Sequence, residues 1–577
     1  MRRARSCVAV CLVAFGCTTS GQREVVRQAP TRSLYGAVGH RPPLTRAERT
    51  SFSETSRYAD VVQFIDSLKV LGARIAVGSI GKTSEGRDIP YVIASRPLVS
   101  TPAEAKRLNH PIVYVQANIH AGEVEGKEAL QALLRDLTLS DAPNVLDSIV
   151  LIAVPIYNAD GNERFAPQER NRSEQNGPEL VGQRPNARGL DLNRDYVKAE
   201  APETRASLRM FALWDPDVFM DLHTTDGSYH GYALTYSPSL NPAALFTRAY
   251  THDTLLAMVR AKMRIQEGFD VFDYGNFTRR GAEVSIFNPA SPQDTVGLAW
   301  STYEHTPRYG TNYYGLRGRI AVLSEAFSHD PFARRVASTY DFVYEVLSYV
   351  AENATDITDL SHEADRRTTG WGNEPGSSPA IPIRSRMTTH PYFGSVLVEA
   401  LAPSGDTAVR TQPGVRRGVR RTGRIEAIRM PVYDHFDPVL SRPLPYAYAV
   451  PPEIADSVVP MLRLHGIAVE TLAEPVSVPA QAFVIDSVIH AARPFQNHLE
   501  TTLRGRWAPG GPRTLPAGTF VVHAGQPLGI LAAYLLEPES DDSFITWNKL
   551  DPFLVADREY PVVRIAQSFS ARLNPVR

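Results

Sequence analysis

Short apolar runs alternate with helix-like repeats over the amino-terminal half of the chain. The runs, such as IPYVIAS, IVYVQANI and SIVLIAVPIY, are rich in Val and Ile, which is typical of buried strands. Between them, segments such as GKEALQALLRDL and PAALFTRAYTHDTLLAMVRAKM repeat their apolar positions every three or four residues, as amphipathic helices do. This alternation predicts an α/β fold with a mixed sheet flanked by helices.

The pattern changes after residue 365. Residues 366–383 read RRTTGWGNEPGSSPAIPI, and their Gly, Pro and Ser content predicts a linker. Beyond them, short runs such as FGSVLVEAL and GTFVVHAG are separated by proline and glycine turns, which predicts a β-rich accessory region over 384–577 with at least one helix in ADSVVPMLRLHGIAVETL. A chain of 577 residues is expected to form more than one domain, and the main domain is predicted over 51–355.

Three of the apolar runs end in residues that can bind a metal ion or move a proton. One run ends at His120, with Glu123 three residues later; a second ends at His223, and a third at Glu325. Taken alone, His120 with Glu123 is more typical of a hydrogen-bonded turn. Because functional groups gather beyond the carboxyl ends of strands in α/β sheets, the joint pattern favours a metal site with an open position and Glu325 as its general base.

Further sequence blocks around these residues resemble the motifs of the zinc carboxypeptidase family, the carboxypeptidase A-like metallopeptidases, and they follow in the same order. The chain resembles an exported bacterial member of that family. The blocks are SIGKTSEGRDIP, with Thr83 where serine is usual, then PIYNADG and LDLNRDY. The resemblance covers about residues 55–350 by block order, and it implies a zinc carboxypeptidase-like fold for the main domain.

The resemblance also implies roles for individual residues. His120, Glu123 and His223 would bind one Zn²⁺ per chain, and Glu325 would activate water. Asn193 and Arg194 would hold a substrate carboxylate, which suits a guanidinium because its planar fork of donors matches a carboxylate.

Two further roles leave alternatives open. The family's oxyanion-stabilising arginine must lie in the long insert 164–188, where Arg172 is the first choice. The competing arginines of that insert are Arg170, Arg184 and Arg188. The tyrosine that caps the substrate is expected at Tyr303, with Tyr309 and Tyr313 as alternatives.

The expected function is zinc-dependent hydrolysis of C-terminal peptide bonds, with a peptide that has a free C-terminus as the partner. One alternative is a related zinc hydrolase acting on cell-wall peptides or acylated amino acids. An alternative of another class is an exported binding protein without catalysis, which would be expected to show decayed ligands. A formal net charge of -1 gives no indication of a nucleic-acid partner.

The amino terminus predicts export. Arginines at positions 2, 3 and 5 precede the apolar stretch CVAVCLVAFG, which suits a signal peptide over 1–21. The AFGC ending resembles a lipoprotein processing box, so lipidation of Cys17 is favoured over ordinary cleavage, and residues 22–50 would be a tether. The protein is expected in the periplasm of a bacterium, or anchored to its membrane through that lipid. Otherwise it is expected to be secreted into the medium.

All of the chain's cysteines, Cys7, Cys11 and Cys17, fall inside this predicted leader. The remainder of the chain therefore has no disulfide and no thiolate ligand, and any metal site must use histidines and carboxylates.

Overall fold

The computed structural model describes residues 42–279, 297–408, 410–411 and 415–576. The predicted signal peptide, with Cys17, and most of the predicted tether lie outside these residues. The end of that tether, residues 42–50, is folded: helix α1 (Arg46–Arg49) is capped by Thr45, and Glu48 pairs with Arg135 at 2.6 Å.

The secondary structure of the amino-terminal part agrees with the alternating pattern. The strands, in chain order, are β1 (Ile75–Lys82), β2 (Asp88–Ala94), β3 (Ile112–Ala117), β4 (Val150–Val154), β5 (Ala166–Pro167), β6 (Leu180–Val181), β7 (Val218–Thr224), β8 (Leu234–Pro238), β9 (Val271–Asp273), β10 (Asn276–Arg279), β11 (Leu298–Ser301) and β12 (Ile320–Ala326). The helices after α1 are α2 (Tyr58–Val70), α3 (Pro102–Leu108), α4 (Glu125–Thr138), α5 (Ala159–Glu163), α6 (Gln168–Asn171), α7 (Pro202–Trp214), α8 (Arg248–Tyr250), α9 (Ala257–Lys262), α10 (Gly310–Leu316), α11 (Phe332–Glu352) and α12 (Ala354–Asn373).

The main sheet has eight strands in the order β1-β2-β4-β3-β7-β12-β8-β9. The four central strands β4, β3, β7 and β12 are parallel, whereas β1, β2 and β8 pair antiparallel to their neighbours. Because the central strands are parallel, their carboxyl ends lie at one edge of the sheet. This edge is where the site residues come together.

Helices cover both faces of this sheet, so its central strands are buried throughout. Helices α2, α4 and α11 supply the apolar side chains of one face, and α7 and α10 supply those of the other. On the second face the core continues into the carboxyl-terminal region through Leu531 and Tyr534. The predicted mixed sheet flanked by helices is confirmed.

The carboxyl-terminal region is rich in strands, as predicted. The strands are β13 (Ile381–Thr388), β14 (Gly394–Pro403), β15 (Val419–Met430), β16 (Val432–Tyr433), β17 (His435–Arg442), β18 (Ala447–Val450), β19 (Glu470–Leu472), β20 (Val476–Gln481), β21 (Phe483–His490), β22 (Thr501–Trp507), β23 (Gly511–Leu515), β24 (Phe520–His523), β25 (Val563–Ile565) and β26 (Leu573–Pro575). Two helices, α13 (Ala455–Leu464) and α14 (Gly529–Leu536), pack in the same core. Within the described residues, no helix is both long enough and apolar enough to cross a bilayer.

The predicted linker over 366–383 is wrong for its first half, because α12 continues to Asn373. Gly372 does not interrupt the helix; it allows a close approach to another segment. A Cβ atom at this position would lie 2.1 Å from the backbone nitrogen of Gly525. The glycine that suggested a linker is thus explained by tight packing of α12 against the carboxyl-terminal region.

Charged groups also join the two regions. Glu200 lies 3.1 Å from His498 Nε2 and 3.1 Å from Lys549 Nζ, both in the carboxyl-terminal region, and 3.3 Å from Lys198 Nζ. Burial alone would raise the pKa of the Glu200 carboxyl, but the hydrogen bond with His498 and the two lysine charges lower it to about 2. The ionised carboxylate therefore stabilises this contact.

We expect Glu200→Gln to destabilise the protein near neutral pH by roughly 1–3 °C in the unfolding temperature. Because the folded-state pKa lies below the ordinary value of 4.5, this contribution is present above about pH 5 and fades as the pH falls towards 2. Thermal unfolding of both proteins between pH 7 and pH 3 measures it, with Glu169→Gln, an exposed carboxylate, as the control. A pH-independent difference would contradict the expectation.

Candidate metal centre and catalytic cavity

The strand ends bring His120, Glu123 and His223 together in a buried cluster. His120 follows β3, His223 is the penultimate residue of the adjacent strand β7, and Glu123 closes the turn after His120. The Nδ1 atoms of the two imidazoles are 3.2 Å apart. They lie 3.1 Å and 2.9 Å from the two carboxylate oxygens of Glu123. Two imidazole nitrogens and one carboxylate thus face one point.

Each imidazole also has a carboxylate on its opposite side. The Nε2 atom of His120 is 3.0 Å from Asp191, and the Nε2 atom of His223 is 3.0 Å from Asp221. Asp221 is two residues before His223 on β7, so the two side chains lie on the same face of the strand. Such partners fix which imidazole nitrogen binds a metal and raise its basicity.

The charges around the cluster favour a cation. Burial alone would raise the pKa of Glu123, but the His120 imidazole and the Arg172 guanidinium hold it well below its ordinary value, so this carboxylate is ionised. Burial alone would lower the pKa of His223, but Asp221 and Glu123 raise it well above the ordinary value for histidine. The site therefore attracts positive charge, whether a proton or a metal ion.

The donor set fits zinc. The donor atoms of His120, Glu123 and His223 all lie within 4.8 Å of one another. Two imidazole nitrogens and one carboxylate are a known ligand set for a catalytic zinc, in which the fourth position is left for water or substrate. Two neutral Nδ1 atoms 3.2 Å apart would otherwise direct lone pairs at each other, and a cation between them removes that conflict.

Glu325 lies at the carboxyl end of β12, directly opposite His223 in the parallel β7–β12 pair. Its side chain is buried at the cavity wall. Burial raises its pKa well above the ordinary glutamate value, and the negative charges of Glu123 and Asp226 raise it further, against the opposing effect of His223. A carboxyl group with a raised pKa beside a metal site suits proton transfer.

The two best candidate arginines occupy different places. Arg172 is buried behind Glu123: it donates to the Glu123 carboxylate at 3.1 Å and to the carbonyl oxygens of Thr224 and Thr225. It does not line the cavity, so its placement does not suit contact with substrate. Arg184 does line the cavity, 3.4 Å from Glu123 and 3.0 Å from Asp191.

The remaining candidates of the insert, Arg170 and Arg188, are exposed outside the cavity lining. The sequence gives no signal for which side of Glu123 a guanidinium occupies, so it does not rank Arg184 above Arg172. Arg184 is nine residues before Asn193 and shares the Asp191 carboxylate with His120.

Asn193 and Arg194 both line the cavity. Asn193 accepts a hydrogen bond from the backbone of Gly310, and its amide lies 3.5 Å from His223. Arg194 stacks over the ring of Tyr309 at 4.0 Å, which holds its guanidinium at the wall. Asp195 pairs with Lys198 at 2.6 Å instead of with Arg194.

The structure separates the three candidate tyrosines. Tyr303 lines the cavity, 5.0 Å from the ring of Tyr309, and its hydroxyl lies near Ser237 and Thr311. Tyr309 also lines the cavity but packs on Arg194. Tyr313 lies in the core, where its hydroxyl contacts His465 at 2.7 Å, so it is not available to a substrate.

The cavity that contains these residues has a volume of about 320 Å³. The lining residues not proposed from the sequence include Asp226 and Tyr274, whose side chains are 3.1 Å apart, and Met387. Met387 comes from β13, so the carboxyl-terminal region contributes directly to the cavity. No local motif marks it, because its position depends on the packing of the two regions.

We expect Asp221→Asn to weaken zinc binding about 10- to 100-fold, because the neutral amide no longer supports the His223 imidazole as a ligand. Competition with a chelator measures the affinity. Asp88→Asn, an exposed aspartate on β2, is the matched control. Unchanged zinc affinity in Asp221→Asn, with an intact fold by thermal unfolding, would contradict this role.

Comparisons with known proteins agree with this site. A family model described as zinc carboxypeptidase matches residues 61–252. Carboxypeptidase 2 of Trichophyton tonsurans is 24% identical over 509 aligned residues, covering 84% of this chain and 81% of that protein. Carboxypeptidase D of Homo sapiens is 32% identical over 157 residues, which cover 26% of this chain and 10% of that protein.

Among solved structures, the metallo-carboxypeptidase from Pseudomonas aeruginosa is 20% identical, covers 52% of this chain and 70% of its own, and superposes with a TM-score of 0.35. The family-model match includes the His120–Glu123 turn, the Asn193–Arg194 pair and His223. Together with the geometry of the cluster, this match supports the zinc carboxypeptidase family for residues 61–252.

Proposed function

We propose that this protein is a zinc-dependent metallocarboxypeptidase that removes C-terminal residues from peptides. The proposal rests on the arrangement of one cavity. It is lined by the buried cluster of His120, Glu123 and His223, and also by the Glu325 carboxyl and the Arg194 guanidinium. Zinc held by the cluster would polarise the scissile carbonyl and acidify water.

Glu325 transfers the proton in this proposal. Its carboxylate accepts a proton from the attacking water and donates it to the amine that leaves. A pKa raised by burial makes it a better base than an exposed glutamate, and at the cavity wall it is shielded from bulk water. The like charges of Glu123 and Asp226 strengthen this basicity.

We assign the oxyanion role, expected first for Arg172, to Arg184. Its guanidinium lies at the cavity surface beside Glu123, where it can donate to the scissile carbonyl oxygen as negative charge develops there. Arg172 instead orients Glu123 from behind. The Asp191 carboxylate, shared by Arg184 and His120, positions the arginine and the metal ligand together.

Arg194, assisted by Asn193, would bind the free carboxylate of the substrate. The stacking contact with Tyr309 limits the motion of the guanidinium and leaves its edge for a carboxylate. Binding of the carboxylate by Arg194 would make the enzyme specific for the C-terminal residue of the substrate. Tyr303, which lines the same cavity, would close over the substrate.

Action on cell-wall peptides or acylated amino acids remains the alternative substrate class, because the same ligands and base would serve both. The signal-peptide pattern of residues 1–21 supports export, and the AFGC sequence supports a lipid anchor at Cys17. The protein would then act on peptides outside the cytoplasm, in the periplasm, at the membrane or in the medium.

We expect Glu325→Gln to lower kcat by about 100- to 10,000-fold, because the amide cannot accept the proton. The zinc content should stay unchanged, because Glu325 is not a ligand. Peptide hydrolysis and elemental analysis on the same preparation measure both quantities. Near-normal turnover in Glu325→Gln would remove the base role from this residue.

We expect Arg184→Ala to lower kcat about 100- to 1,000-fold with a smaller effect on KM, as for loss of an oxyanion donor. Arg172→Ala should instead weaken zinc binding, because Glu123 loses the cation that holds it in place. Arg188→Ala, at an exposed position in the same insert, is the control and should be unaffected. If Arg172→Ala lost turnover at normal zinc content while Arg184→Ala remained active, the assignment would be reversed.

A further inference from the structure

A second group of metal-binding side chains lies in the carboxyl-terminal region, outside the catalytic cavity. Its members are His390, Asp434 and His435. The Asp434 Oδ1 atom is 2.8 Å from His390 Nε2 and 3.2 Å from His435 Nδ1, and the two imidazole rings are 4.6 Å apart. All three side chains are partly exposed, so solvent reaches the group.

The strand pairing explains why these residues meet. In the antiparallel β13–β17 pair, Thr388 lies opposite His435, the first residue of β17. His390 follows two residues after the end of β13, and its backbone donates to the carbonyl of Val432 at 3.3 Å. Asp434 occupies the corner between β16 and β17. The three donors are therefore held on neighbouring backbone segments of one corner.

We propose that His390, Asp434 and His435 bind a second divalent transition-metal ion, for which Zn²⁺ is the best match. Their donor atoms lie within 4.8 Å of one another, as in the catalytic cluster. Two imidazole nitrogens select Zn²⁺ or a neighbouring transition metal over Ca²⁺ and Mg²⁺, which prefer oxygen ligands. Three protein ligands with partial exposure leave a position for water.

The cavity around the group carries charged side chains of both signs. The three residues line a cavity of about 210 Å³, and its other wall carries Asp253 and Asp273 together with Arg248 and His252. His252 lies between these carboxylates, 2.6 Å from Asp253 and 3.1 Å from Asp273. With Asp434, three carboxylates face this cavity against two basic side chains, so negative charge is in slight excess there.

A metal ion here would also support the catalytic cavity. Strand β16, which leads directly to Asp434, pairs with β11, and the Thr302 backbone donates to the carbonyl of Tyr433 at 2.9 Å. Thr302 and Tyr274 line both cavities. Because Tyr303 follows Thr302, a cation that fixes the β16–β17 corner also holds the segment that carries this tyrosine.

A hydrogen-bonded group without metal is the competing explanation, since one carboxylate oxygen can accept from both imidazoles. The two explanations differ in the number of zinc ions bound. Purified full-length protein is equilibrated with about 1 µM free Zn²⁺ in a chelator buffer, which fills a site whose Kd is ~0.1 µM, and zinc per chain is then counted. We expect two zinc ions per chain.

The variants locate the second ion. Glu123→Ala should retain one ion, and the double variant His390→Ala/His435→Ala should also retain one while peptide hydrolysis continues. In the double variant, binding at the second site should weaken more than ~100-fold. His362→Ala, an exposed histidine on α12, is the matched control and should bind two.

A single zinc in the wild-type protein, or two in the double variant, would overturn the proposal. Thermal unfolding of the metal-free proteins checks that the variants fold. Zinc should raise the unfolding temperature of Glu123→Ala, but not that of Glu123→Ala combined with His390→Ala and His435→Ala. These readouts do not depend on peptide hydrolysis, so a failure of the proposed peptidase function would be recognised separately.

Discussion

The catalytic half of the structure depends on the concentration of buried negative charge at one edge of its sheet. Glu123, Asp191 and Asp221 surround two imidazoles, and Glu325 completes the wall. Buried carboxylates are costly unless cations are close to them. Two arginines, Arg172 and Arg184, neutralise part of this negative charge. The remaining negative charge attracts a cation to the point between the donor atoms.

The parallel register of the sheet makes this concentration possible. Neighbouring strands β3, β7 and β12 end at the same level, so a histidine, a histidine and a glutamate far apart in sequence become neighbours. Helices on both faces bury the sheet beneath the cluster. The electrostatic properties of the site therefore follow directly from strand order and register.

The carboxyl-terminal region is structurally coupled to this site. Gln496 accepts a hydrogen bond from the backbone of Asp191, the residue that positions His120. Arg308 pairs with Asp542 at 3.1 Å, just ahead of the helix that follows Tyr309, and Met387 reaches the cavity itself. A region with no catalytic motif of its own thus shapes and supports the catalytic cavity.

The sequence is most informative where function is tied to strand ends. His120, Glu123, His223 and Glu325 could be predicted because a strand pattern and a chemical requirement coincide at each. Arg184 could not be chosen over Arg172, because the insert has no periodicity that orients its side chains. The Gly, Pro and Ser content of residues 366–383 indicated a linker, because sequence alone does not distinguish a glycine that breaks a helix from one, such as Gly372, that permits close packing. The contribution of Met387 depends on contacts between distant regions, which no local pattern encodes.

The central claim is that one zinc-dependent site hydrolyses peptides from their free C-terminus. The most direct measurement compares zinc-loaded protein on a peptide library with free C-termini and on the same library with amidated C-termini, following product masses over time, with Glu123→Ala as the inactive reference. We expect sequential loss of C-terminal residues from the free peptides, little loss from the amidated ones, and none with the variant. Equal hydrolysis of both libraries, internal cleavage, or full activity in Glu123→Ala would contradict it.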